Sequence, residues 1–75
     1  MDDAQEARPA NYLEVGFNLA EFILVFGQAY EGQGDAFLHT RLVTSPIYAK
    51  QFSDLLARSL AEYEMEYGRI GREPD

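Results

Sequence analysis

The sequence predicts an α+β fold, a three-stranded antiparallel meander (β-β-β) followed by one long C-terminal amphipathic helix, assembled as an oligomer. Three observations carry this expectation. Apolar residues alternate with period two in runs separated by turn residues between Tyr12 and Thr44. The period changes to a helical one after Ser45-Pro46. The middle run is apolar on both parities, and such a strand needs cover on both of its faces.

The first strand is read at Tyr12 to Phe17, where Leu13, Val15 and Phe17 alternate with Tyr12, Glu14 and Gly16. Asn18-Leu19-Ala20 makes a short turn. The second strand runs from Glu21 to Ala29, with Phe22, Leu24 and Phe26 on one face and Ile23 and Val25 on the other. Phe, Ile, Val and Gly crowded together disfavour a helix there. Tyr30 to Asp35 carries two glycines and reads as a hairpin loop. The third strand is expected at Ala36 to Thr44, with Leu38, Thr40 and Leu42 on one face and Phe37, His39, Arg41 and Val43 on the other. Strands joined by short loops form a meander with the second strand in the middle.

Ser45 is a preferred N-cap, and proline at the first helical position gives up no needed hydrogen bond. From Ile47 to Tyr67, residues Tyr48, Ala49, Phe52, Leu55, Leu56, Leu60, Tyr63 and Tyr67 fall within an arc of roughly 140° at helical pitch. Opposite them stands a ladder of alternating charge, Lys50, Asp54, Arg58 and Glu62, at spacing four. Gly68 is placed to terminate the helix. The polar residues 1–10 are expected to be a disordered acidic arm, residues 11–70 a single domain, and residues 71–75 a disordered tail.

The chain has 75 residues, so it holds one small core, and domains of this size are marginal without disulfides, metals or oligomerisation. Cysteine is absent, which excludes disulfides and thiolate zinc sites. A lone histidine makes no metal cage here, and neither metal nor cofactor is expected. Oligomerisation remains, and a chain 47% hydrophobic and 13% aromatic can supply the interface. The N-terminal residues lack the apolar run of a signal peptide, and the apolar stretch Phe22 to Phe26 is too short to span a bilayer. No membrane association and a cytoplasmic address are therefore expected. A formal charge of -7 with six Lys and Arg disfavours nucleic-acid binding, which needs cations to displace counterions from phosphates.

The chain also resembles a small bacterial family known as the domain of unknown function numbered 3467. Asn11-Tyr12 stands at the start, and Phe22 to Gly27 reads Phe-x-Leu-x-Phe-Gly. Arg41 to Lys50 reads Arg-x-Val-x-Ser-Pro-x-x-Ala-Lys, and Tyr63 to Ile70 reads Tyr-Glu-x-x-Tyr-Gly-x-Ile. Val25 departs from the more polar residue, often Asp, expected at that position, and Asn18-Leu19-Ala20 replaces a His-Ser-Pro-like turn. The resemblance implies a fold and a bacterial origin, and it implies no activity.

Glu14, His39 and Arg41 could meet on one sheet face. A carboxylate, an imidazole and a guanidinium could do acid/base work, but no nucleophile accompanies them. A polar cross-strand cluster is the plainer reading. The glycines of Glu31-Gly32-Gln33-Gly34 lack the Lys-Ser/Thr of a phosphate loop. Tyr12, Ile23, Val25, Phe37 and Val43 form the expected oligomer interface. The expected function is a non-catalytic homo-oligomeric interaction module that binds itself and another protein. Two alternatives are a single-stranded nucleic-acid binder stacking bases on an open sheet, and an enzyme with an inter-subunit pocket.

Overall fold

The computed structural model describes residues 7–32 and 34–71. The element order is β1 (Tyr12–Phe17), β2 (Phe22–Gln28), β3 (Phe37–Thr44) and α1 (Pro46–Tyr67). The strands form one antiparallel sheet in the order β1-β2-β3, so the fold is the expected β-β-β-α arrangement. The chain divides into two compact units between Ser45 and Pro46. Of the arm and tail expected at 1–10 and 71–75, residues 1–6 and 72–75 lie outside the described residues.

The β1–β2 turn is built by Asn18. Its Oδ1 accepts from the backbone N–H groups of Ala20 and Glu21, both at 2.9 Å, while its own N–H donates to the Glu21 carbonyl at 2.9 Å. Asparagine suits this position because its short side chain imitates a backbone turn. At the other end of the pair, Asn11 does the converse. Its Oδ1 accepts from the Ala29 N–H at 2.7 Å and its Nδ2 donates to the Ala29 carbonyl at 3.2 Å, so one side chain replaces a strand residue. The β2–β3 loop turns at Gly32, whose φ of 86° is open to glycine at no steric cost.

Register assigns the faces. Pairs Phe17↔Phe22↔Thr44, Val15↔Leu24↔Leu42 and Leu13↔Phe26↔Thr40 make one face. Gly16↔Ile23↔Val43 and Glu14↔Val25↔Arg41 lie on the other. The β2–β3 register then shifts between Phe26 and Gly27, where Gly27 pairs with Leu38 and Gln28 with Phe37, leaving His39 as an extra residue. This bulge reverses the parity of Phe37 and Leu38 relative to the sequence expectation. Its cause is local. A Cβ on Gly27 would lie 2.5 Å from the Phe37 carbonyl oxygen and 3.1 Å from the Leu38 Cα, so the β3 backbone folds inward onto a residue without a side chain.

Val25, at the centre of the sheet and 8% exposed, is the buried apolar side chain among the described residues. Leu13, Val15 and Phe17 on β1 remain 63%, 63% and 73% exposed.

The helix begins at Pro46 directly after Ser45, as capping chemistry requires. It ends at Gly68, whose φ of 104° and N–H bond to the Glu64 carbonyl (2.9 Å) form a left-handed terminator. The Ile70 N–H then donates to the Glu64 carboxylate at 3.0 Å. On the helix surface Lys50 Nζ meets Asp54 at 3.6 Å, the first rung of the charge ladder, and the Tyr63 and Tyr67 rings stand 5.0 Å apart one turn on.

The two mid-strand glycines have opposite requirements, which thermal unfolding separates. Gly27→Ala is expected to cost about 1–3 kcal/mol, because backbone rather than a flexible side-chain end must yield. Gly16→Ala, with nothing within 4 Å of its Cβ in the single chain, is expected to leave the midpoint unchanged or slightly higher when unfolding is followed at concentrations where the protein is monomeric.

Candidate interaction surface

The face of β2 that bears Val25 is a three-by-three array whose rows follow from the register. Gly16, Ile23 and Val43 form one row, Glu14, Val25 and Arg41 the next, and Tyr12, Gly27 and Leu38 the last. Four of the five residues expected at an interface therefore share this face: Tyr12, Ile23, Val25 and Val43. Phe37 does not. The bulge places it opposite Gln28, on the parity of Phe22 and Phe26, and Leu38 takes its place beside Gly27.

Glu14 and Arg41 stand on either side of Val25, on opposite edge strands. With strands spaced about 4.8 Å apart, their Cα atoms are roughly 10 Å from one another. They line an open hollow of about 240 Å³ with Val15, Gly16, Ile23 and Val25. The floor of this hollow is apolar and its two sides carry opposite charge. That arrangement fits an apolar group flanked by polar ones better than it fits proton transfer, which needs groups within hydrogen-bond reach.

His39, expected beside Glu14 and Arg41, stands elsewhere. As the extra residue of the bulge it turns to Phe37, with ring centroids 6.3 Å apart. Its Nδ1 meets the Thr40 Oγ1 at 2.7 Å and its Nε2 meets the Pro9 carbonyl oxygen at 3.0 Å. His39, Phe37 and Pro9 border a second open hollow of about 400 Å³, lined also by Arg8, Gln28 and Tyr30. The Oε1 of Gln28 is buried without a hydrogen-bond partner. Sequence reasoning missed this grouping because it depends on the bulge. The available signal was Gly27, a glycine inside an otherwise continuous apolar strand.

Tyr12 donates its hydroxyl proton to the Glu14 carboxylate two residues along the same face. That hydrogen bond, followed by desolvation and by the negative charges of Glu14 and Asp35, raises the Tyr12 phenol above its ordinary value of 10.0. Among the described residues no group of three or more His, Asp or Glu side chains is placed to hold a metal ion. None of the described helices is long and apolar enough to cross a membrane.

The fold and surface together define a small α+β protein of β-β-β-α order, with a mixed apolar and charged sheet face. The family model described as "Protein of unknown function (DUF3467)" matches residues 3–72, and the chain belongs to that family. No curated protein and no solved structure matches it.

The Tyr12–Glu14 pair has a pH signature. A phenol whose pKa is raised by folding contributes stability that is complete below the unfolded value of 10.0 and is lost as pH rises through the higher folded value. Ultraviolet titration of the folded protein is expected to show one of its five tyrosines ionising after the others. Glu14→Gln should bring that phenol back toward the rest, and Tyr12→Phe should remove the late step. An unchanged late step in Tyr12→Phe would assign it to another tyrosine.

Proposed function

We propose that this protein is a non-catalytic, homo-oligomeric protein–protein interaction module, an adaptor or scaffold subunit, that engages other chains through its sheet. The observation that carries this reading is that a single-layer sheet of three strands is apolar on both faces around β2. A helix with one apolar stripe can cover one sheet face, and the chain contains one helix among its described residues. A second apolar face calls for a second chain. Covering a side chain such as Leu38 or Val43, each about half exposed, contributes up to about 1.5–3 kcal/mol, and several such side chains on one face together support association.

The face around Val25 is the proposed contact. Ile23, Val25, Leu38 and Val43 give it an apolar centre, and Glu14 and Arg41 give it charged flanks, the core-and-rim composition common to protein interfaces. Two features weigh against base stacking on the sheet. The chain carries a formal charge of -7, and the bulge puts Tyr12 and Phe37 on opposite faces, so they form no common platform.

Size-exclusion chromatography with multi-angle light scattering at micromolar concentration tests the reading. The wild type is expected at a multiple of its 8.5 kDa mass, and Val25→Asp at a smaller mass than the wild type with an unchanged far-ultraviolet circular dichroism spectrum. Val43→Asp, at a position already 56% exposed, repeats the test without disturbing the sheet centre. A monodisperse wild-type monomer would overturn the proposal.

A further inference from the structure

The two edges of the sheet differ. β3 carries the His39 bulge, which breaks the repeat of outward backbone groups and twists the strand, a common protection against edge pairing. β1 has no bulge, no proline and no lysine over Tyr12–Phe17. The direction of its hydrogen bonds follows from the ends of the β1–β2 pair. The Asn18 N–H bonds to the Glu21 carbonyl, and Ala29 turns both its N–H and its carbonyl toward Asn11. Antiparallel bonding alternates, so the inward pairs are Asn18/Glu21, Gly16/Ile23, Glu14/Val25 and Tyr12/Gly27. The backbone N–H and C=O groups of Leu13, Val15 and Phe17 therefore point away from β2 to the open edge.

A second anomaly lies on the same strand. Gly16 sits in the middle of β1, where glycine costs about 0.5–1 kcal/mol relative to alanine. It has no positive φ, and a Cβ there would meet nothing within 4 Å. Among the described residues nothing calls for a glycine at that position. A mid-strand glycine of this kind marks the close approach of something else.

We infer that β1 is a dimerisation strand that pairs antiparallel with β1 of a second copy, about a two-fold axis at Val15, to make one continuous six-stranded sheet. The inference rests on the homo-oligomeric reading above and names an edge that the reading leaves open. Paired strands must share faces, so the sum of paired residue numbers is even, and hydrogen-bonded pairs must join outward-pointing residues. Centring on Glu14 satisfies both rules but sets Glu14 against its own copy, and like charges directly opposite are destabilising. Centring on Val15 also satisfies both. It pairs Val15 with Val15 and Leu13 with Phe17 through the free edge groups, extending the apolar face of β1. On the opposite face it sets Glu14 against Gly16 of the other copy, where the missing side chain leaves room for the carboxylate and for the Tyr12 ring hydrogen-bonded to it. Registers centred on Leu13 or Gly16 also satisfy both rules but pair only three residues of β1 where the Val15 centre pairs five, so paired length, charge and the glycine together favour the Val15 centre.

The absence of native cysteine makes disulfide trapping clean. In the Val15-centred register the two Val15 Cα atoms stand about 5.5 Å apart, within disulfide range, whereas Glu14 faces glycine. Val15→Cys is expected to give a cross-linked dimer under mild oxidation and Glu14→Cys is not. The reverse result, or cross-linking of neither variant, overturns the inference. Val15→Pro removes an outward N–H while leaving the β1–β2 bonds intact, so it should retain the native circular dichroism and lose the edge-paired dimer. Gly16→Lys and Gly16→Glu are both sterically free within one chain, but each fills the space that Glu14 and the Tyr12 ring of the other copy occupy; both should weaken the dimer, the second about tenfold more because it also sets like charges opposite. A wild-type oligomer that survives Val15→Pro but yields to Val25→Asp would overturn the edge pairing and leave the homo-oligomeric reading standing. An oligomer that yields to Val15→Pro but survives Val25→Asp would support the edge pairing and remove the Val25 face as the contact. A wild-type monomer by light scattering overturns both.

Discussion

The constraint on which the rest of the structure depends is the two-sided apolar character of β2. Phe22, Leu24 and Phe26 face one way and Ile23 and Val25 the other, and β2 is the middle strand, so neither set can be turned outward at an edge. Strand pairing satisfies its backbone but does not by itself cover its side chains on either face. A single layer cannot resolve that by itself, since a sheet is stable only when stacked against another layer. Charge on the flanking strands reduces the problem in one place only. Glu14 and Arg41 bracket Val25 and help to make it the most enclosed apolar side chain of the described residues.

The register of this sheet is legible because its pattern is strict over most of its length. β1, from Tyr12 to Phe17, coincides with its predicted span, and the Ser45-Pro46 start and Gly68 stop of the helix are set by chemistry that acts within a few residues. The extra residue in β3 is different in kind. His39 and Thr40 continue the alternation smoothly in the sequence, and nothing in β3 itself announces a slip. The slip originates across the ladder at Gly27, where the absence of a side chain lets the Phe37 carbonyl approach. A reading along one strand cannot see a cause that lies on its neighbour.

That slip also rearranges the candidate residues. It keeps Glu14, Val25 and Arg41 in one row, because they lie before the shift, and it removes Phe37 and His39 from their company, because those lie beyond it. The group that assembles instead around Gln28, Tyr30, Phe37 and His39 draws on Arg8 and Pro9, from a segment that composition alone assigned to an arm. Distance in sequence from the strands proper was a poor guide to which residues meet.

The inequality of the two sheet edges can be put in the language of polymerisation. A monomer with two reactive ends adds without limit, whereas one with a single reactive end couples once and stops. On the edge-pairing inference, the bulge at His39 would make β3 the unreactive end, and a molecule of this design would behave as a chain stopper toward its own kind. Edge-to-edge growth would then terminate at the pair, and a strand-rich chain would be steered away from the open-ended stacking that yields fibrils.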